Sequence, residues 1–373
     1  MPARRTVLRL LGGAALVSAA GGTAWALTRD PAAAREPWQA AGTTGDPRLD
    51  ALSWAVLAPN PHNRQPWLIT LPAPGEITLH VDRDRLLPHT DPHSRQIVIG
   101  LGCFLETHVV AATAQGLRAE ITPFPEGADP RTLDARPVAH IRLTEGAPRD
   151  PLFAQIPHRR SCKEPFEARL PAPESLPALA AEGARLHTDP AEVDRLKAIA
   201  WRAHEIEVNT PRTLQESIDL MRIGKAEITA NPDGIDLGGP FLETLSLLGQ
   251  LDRESLADPD SAAFAQGLAM YREIHEATSA HLSVTGPATR LGEIEAGRRW
   301  QRIHLAATAE GLSLHPVSQA LQEFPEMAEP FADLHAAIPA PEGERVHMLG
   351  RLGYGPETPA SPRWPLETRI RSA

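Results

Sequence analysis

Cysteine is nearly absent: Cys103 and Cys162 are the only two in 373 residues. That excludes a disulfide framework, since one bridge is the most that could form. No cysteine precedes residue 103, which argues against a lipoprotein. Positive charge is also scarce, with 37 Lys and Arg against 47 Asp and Glu and a formal net charge of −10. An acidic body lacks the basic footprint that a nucleic-acid partner needs. No G-x-G-x-x-G segment offers a dinucleotide fingerprint. After residue 27 no apolar run reads as long enough to cross a membrane. The 37 prolines and 27 glycines fall below the share that marks a disordered chain.

The N-terminus is what stands out. Arg4 and Arg5 open the run RRTVLR, and residues 10–27 then carry no charge. Ala24-Trp25-Ala26 supplies a small-x-small cleavage site. Paired arginines before a weakly apolar, Gly- and Ala-rich stretch form the twin-arginine export pattern. Residues 1–27 are therefore expected to be a twin-arginine signal peptide, directing the chain to the periplasm or another extracytoplasmic space. The alternative is a membrane anchor left uncleaved, but Gly12, Gly13, Gly21 and Gly22 weaken it as a permanent helix. Removing the signal deletes three arginines and no acid, leaving a body near −13.

Residues 28–45, rich in Ala, Pro, Gly and Thr, read as a linker. Beyond it, Leu49, Leu52, Ala55 and Val56 recur at helical spacing. Alternating segments at 67–71, 77–81 and 138–143, bounded by Pro, Gly or Asp, read as strands around a long apolar helix at 95–116. Later helices are expected at 191–209, 214–223, 264–282 and 293–311, with a last strand at 346–353. The sequence AATAQGL at 111–117 recurs as AATAEGL at 306–312. Each copy closes a helical pattern on a glycine, the residue suited to a helix C-terminus. A mixed α/β architecture with related halves at 46–150 and 151–373 follows.

Three segments carry chemistry. Residues 58–67, Ala-Pro-Asn-Pro-His-Asn-Arg-Gln-Pro-Trp, present amide groups in a turn fixed by prolines. Amides match a heterocycle with mixed donor and acceptor edges. Arg159, Arg160, Ser161 and Lys163 place three cations and a hydroxyl within five residues, a phosphate clamp in the making. Arg363 stands in a Pro-rich tail. His89 and His93 have metal-pair spacing, but Pro88, Asp91 and Pro92 make that segment a loop, and no metal site is expected.

Together these segments resemble the nitroreductase family of flavin enzymes. The loop resembles its A-P-S-x-x-N-x-Q-P-W element, with Asn60 in place of Ser. Residues 159–166 resemble R-R-S/T-x-R-x-x-F, with Lys163 in place of Arg, and 362–367 resemble its closing R-x-P-L-E tail. The similarity is greatest to the exported or dormancy-associated Acg-like branch, in which one chain carries two halves that imitate the family's homodimer. The resemblance implies a three-layer fold, a mixed sheet flanked by helices, in a pseudo-dimeric monomer holding one FMN. It implies that Arg159, Arg160, Ser161, Lys163 and Arg363 hold phosphate and ribityl. Pro59, Asn60, His62, Asn63 and Gln65 would line the ring, with Trp67 packed beneath. Hydride would pass from a small-molecule donor through flavin to a nitroaromatic or quinone, with no dedicated protein acid or base. The other function implied is exported FMN storage without turnover.

Overall fold

The computed structural model describes residues 28–372, and the expected twin-arginine signal lies outside the described residues. The first sheet contains β1 (Trp67–Thr70), β2 (Glu76–Val81), β3 (Leu117–Pro123) and β4 (Ala139–Glu145), in the order β1-β2-β4-β3. Next come β5 (Arg185–His187) and a separate parallel pair, β6 (Met221–Ile223) with β7 (Ile235–Leu237). The second sheet joins β5 to β8 (Ala280–Pro287), β9 (Ser313–Pro316) and β10 (Glu344–Gly353), in the order β5-β8-β10-β9. The two orders are the same, first-second-fourth-third, and every ladder in both sheets is antiparallel. Parallel character enters these two sheets through single bridges, Ile370 to Ile69 and Ser161 to Leu314.

In each half a long helix links the second strand of the sheet to the third. Arg95–Thr113 and Arg290–Ala309 cross at Gly102 and Gly297. A Cβ on Gly102 would lie 2.3 Å from the Ile294 carbonyl, and one on Gly297 2.0 Å from the Ile99 carbonyl. Only glycine allows so close an approach of two backbones. The two contacts mirror each other at the same sequence offset as the repeated AATAxGL segment. Gly116 and Gly311, which follow the two helices, both sit at positive φ, 71° and 69°. One hydrophobic cluster takes residues from both sheets and both helices.

The structure corrects four expectations. The helix expected at 214–223 ends at Asp219, because residues 221–223 pair with β7. The helix expected at 264–282 ends at Glu276, and Leu282 lies in β8, held by ladders on both sides. Arg95–Thr113 is long and apolar enough to cross a membrane by length and composition, but it is a core helix with nearly every residue buried. Residues 28–45 do not hang free as a linker. They form turns of helix at Ala32–Arg35 and Glu36–Ala40 and bury Trp38.

Burial also sets an acid limit. His108, His204, His275, His281 and His347 are each at most 5% exposed. Desolvation lowers His108 and His204 to about 4 and His275, His281 and His347 to about 3. These are bases depressed by folding, so below the unfolded value near 6.5 the unfolded chain binds more protons and stability falls with pH. Each contributes about 1.4 kcal/mol per pH unit of loss between 6.5 and its folded value. Urea midpoints are expected to drop steeply from pH 7 to pH 5, and a flat profile would refute neutral burial.

Candidate functional site

The loop after the Pro47–Ala55 helix is wound into the left-handed region without glycine: φ is 47° at His62, 51° at Asn63 and 50° at Gln65. Each such residue costs about 1–2 kcal/mol, so the surroundings must hold it. Asn60 does so from within, its Nδ2 donating to Ala58 O (3.1 Å) and its Oδ1 accepting from Gln65 N (2.7 Å). Asn63 reaches the C-terminal tail, donating to Pro362 O (3.0 Å) and accepting from Arg363 Nη1 (2.5 Å). Gln65 is fully buried, with Nε2 on Pro232 O (2.7 Å) and Oε1 taking the Trp364 N–H (2.9 Å). Gln65 thus ties residue 232 to the C-terminal tail, and Asn60 and Asn63 also spend their amides on the protein. Gln65→Ala would strand the buried Pro232 carbonyl and the part-buried Trp364 N–H and is expected to cost roughly 1–3 kcal/mol, measurable by urea unfolding. Trp67 is buried below, 5.2 Å from Phe104.

Above the loop, cations gather. Arg159 and Arg363 are each 3% exposed. Arg363 donates Nη2 to Leu57 O and Ala58 O, both at 3.1 Å, and Arg159 donates Nη2 to the same Leu57 O at 3.1 Å. Arg160 is half-buried, folded onto Pro157 O (2.9 Å) and Arg159 O (2.8 Å). Among the described residues none of these three guanidiniums has a carboxylate ion-pair partner, and Arg363 Nε and the nearby His304 Nδ1 have no hydrogen bond. Several other arginines contrast with this: Arg85 and Arg222 share Asp233 at 2.6 and 2.7 Å, and Arg290 meets Glu293 at 2.8 Å, whereas the fully buried Arg351 also lacks an acid and is held by His315 Nδ1 and the carbonyls of Ile274 and Glu164. Burial pushes Arg159 down to about 10, helped by Arg160, and pushes Arg363 well below the usual guanidinium value, helped by both neighbours. Buried, mutually repelling cations demand an anion.

Ser161 bridges Leu314 through its backbone, and its hydroxyl engages no protein group among the described residues. Lys163 is exposed, within electrostatic reach of Asp236 and His62. Desolvation first, then the charges of Lys163 and Arg64, lowers His62 to about 4, and its Nδ1 is orphaned. His62 is therefore a neutral imidazole at neutral pH. Pro59 is half-buried at the loop entrance. Residues 231–238 come over from the second half: Gly234 N donates to Asn63 O (3.3 Å), and Asp233 accepts from Trp364 Nε1 (3.1 Å). Gly234, at φ 75°, sits where a Cβ would strike Leu220 O at 2.1 Å. The donor set, three acid-free guanidiniums beside a hydroxyl, a lysine and a neutral histidine, fits a phosphate ester carrying a polar ring system, as FMN does. Among the described residues no His, Cys, Asp or Glu group could hold a metal.

No family model matches the chain. A Mycobacterium tuberculosis protein with the provisional name NAD(P)H nitroreductase is 28% identical over 318 residues, 82% of this chain and 84% of that protein. The M. tuberculosis protein acg, provisionally named in the same way, is 34% identical over 106 residues, covering 28% of this chain and 31% of its own length. These curated relatives support the nitroreductase-like resemblance. Among solved structures, the FMN-dependent nitroreductase NfnB from Mycobacterium smegmatis in complex with NADPH aligns with TM-score 0.37 and 20% identity, over 58% of this chain and 95% of its own. A nitroreductase with bound FMN from Desulfitobacterium hafniense aligns with TM-score 0.33 and 16% identity, over 60% and 98%.

Sequence reasoning missed two contributors. One is Trp38, hidden in the segment read as a linker. The signal was available, because a lone Trp among small and polar residues is out of place in a free linker. The other is the 231–238 cover, whose Asp233 gave no sign that it would neutralise Arg85 and Arg222.

Proposed function

We propose that this chain is an FMN-binding oxidoreductase of the nitroreductase type, exported by the twin-arginine route as a pseudo-dimeric monomer with one flavin. The observation that carries this reading is the cluster of Arg159, Arg160 and Arg363 without carboxylates. Bound there, FMN would supply hydride transfer from a reduced donor to a nitroaromatic- or quinone-like acceptor. Arg159, Arg160 and Arg363 bind the phosphate, and Ser161 and Lys163 extend that site toward the ribityl chain. His62 offers an uncharged imidazole to the ring. The shared strand order and the Gly102–Gly297 crossing support an internal duplication, with the single loop 58–67 explaining one site rather than two. The names of the relatives point to NAD(P)H as a donor.

The absorbance spectrum of purified full-length protein tests the reading. Flavin bands should be present or restored by added FMN, bleached by NAD(P)H or dithionite, and recovered with a nitroaromatic or quinone. Protein that stays colourless and takes up no FMN would sink it. A second reading, flavin retention without turnover, is favoured by the 231–238 cover over the loop. It predicts bands that no physiological donor bleaches. Export predicts that Arg4→Lys with Arg5→Lys leaves the protein in the cytoplasm, and unchanged secretion would refute that route.

A further inference from the structure

We propose that Trp38 belongs to the anion site: the segment following the leader closes its indole over the three guanidiniums and holds a phosphomonoester within them. The proposal rests on the FMN reading above and adds a binding residue to it. The Trp38 ring centroid lies 4.3 Å from the Arg160 guanidinium carbon, 5.6 Å from that of Arg363 and 6.0 Å from that of Arg159. One indole thus faces all three cations of the cluster.

The ring is fixed there. Trp38 is 8% exposed, and its Nε1–H donates to Ser361 O at 2.8 Å. The tail answers, Arg363 N donating to Ala34 O at 2.8 Å. Farther out, Lys225 Nζ donates to Thr28 O (3.0 Å), Arg35 stands 3.6 Å from Asp236, and Gly42 N donates to Ser53 Oγ (2.8 Å). Residues 28–42 therefore form a strap pinned at both ends, with Trp38 over the cluster.

The choice of residue suits the task. A carboxylate here would neutralise the arginines and compete with phosphate. An indole face attracts cations through its quadrupole but accepts no conventional hydrogen bond, so it takes none of the donors that the protein leaves to an anion: Arg159 Nε and Nη1, Arg160 Nε and Nη2, and Arg363 Nε. Its bulk also excludes water, which strengthens each guanidinium–phosphate contact. Phosphate enters or leaves only when the strap lifts, so the strap governs retention, and loading precedes its docking.

Release of FMN from the full-length protein, followed by the rise in flavin fluorescence on dilution, tests this. Trp38→Leu keeps apolar bulk and removes the quadrupole, and it should release FMN roughly tenfold faster or more. Trp38→Phe, which keeps a ring, should stay nearer the wild-type rate. Riboflavin, lacking the phosphate, should bind wild type and Trp38→Leu alike. Equal FMN release from wild type and Trp38→Leu overturns the proposal while leaving the FMN reading intact. Equal weakening of FMN and riboflavin also overturns it, since that is what general loss of packing produces. Wild-type protein that takes up neither flavin removes the FMN reading, and the proposal with it.

Discussion

Arg159→Met is expected to raise the stability of the flavin-free protein and, at the same time, to weaken FMN binding roughly 10- to 100-fold. Both effects come from the same charge. Arg159 is buried without a carboxylate, and it helps depress Arg363. Replacing a buried, unneutralised ion by an apolar group of similar length removes its desolvation cost, so about 1–3 kcal/mol of stability should appear. Little is lost in exchange, because Leu57 O, which Arg159 Nη2 serves at 3.1 Å, is also served by Arg363 Nη2 at 3.1 Å. In the bound state the sign reverses. A charge-assisted contact to phosphate is worth about 1.5–3 kcal/mol, which is one to two decades in Kd. Riboflavin affinity should not move. Urea unfolding of the apoprotein and titrations with FMN and riboflavin measure all three quantities. A destabilised apoprotein with unchanged FMN affinity would mean that Arg159 is a structural tie and that the anion site lies elsewhere.

Much of the frame was legible in the sequence, for reasons that can be named. The 111–117 and 306–312 repeats end the two helices that cross at the centre, and Gly102 and Gly297 stand at the same offset. The core strands were legible where alternation was clean, as in 77–81, which lies within β2. The pattern misled where pairing overrode local preference. Residues 280–287 follow a helical stretch without a strong breaker, yet β8 is enforced by β5 and β10 on its flanks. The arginines of the site were legible because three cations so near a hydroxyl are chemically unusual. Which protein partner each amide finds was not legible. Asn63 and Gln65 meet the tail about 300 positions away, a contact no local pattern encodes. The partners of Trp38, namely Arg160, Ser361 and Arg363, are also distant in the chain, so its composition could signal that the segment packs but not where.

The second large effect is expected at the helix crossing. Gly102→Ala should cost about 3 kcal/mol or more, lowering Tm by roughly 4 °C or more in a chain of this size. The added methyl would meet the Ile294 carbonyl at 2.3 Å and Gly297 Cα at 3.0 Å. Neither is the tip of a flexible side chain; both belong to helical backbone, so relief requires the helices to separate. Gly297→Ala forces the same separation from the other side, against Ile99 O at 2.0 Å. Because one displacement relieves both clashes, the double variant should cost clearly less than the sum of the two singles. The damage should also reach the site. His304, on the second helix of the crossing, holds Arg160 O through Nε2 at 2.9 Å, so a shifted helix moves the cation cluster and lowers FMN affinity. Gly100 provides the contrast within the same helix. A Cβ there would meet Asn60 Cβ and Pro61 Cδ, both at 3.1 Å, so it presses on the 58–67 loop rather than on the partner helix. Gly100→Ala should therefore disturb flavin binding with a small change in Tm, whereas Gly102→Ala should lower both. Thermal melts and FMN titrations of the three single variants and the double separate these outcomes. Full additivity of Gly102→Ala and Gly297→Ala would show that the two glycines do not share one contact.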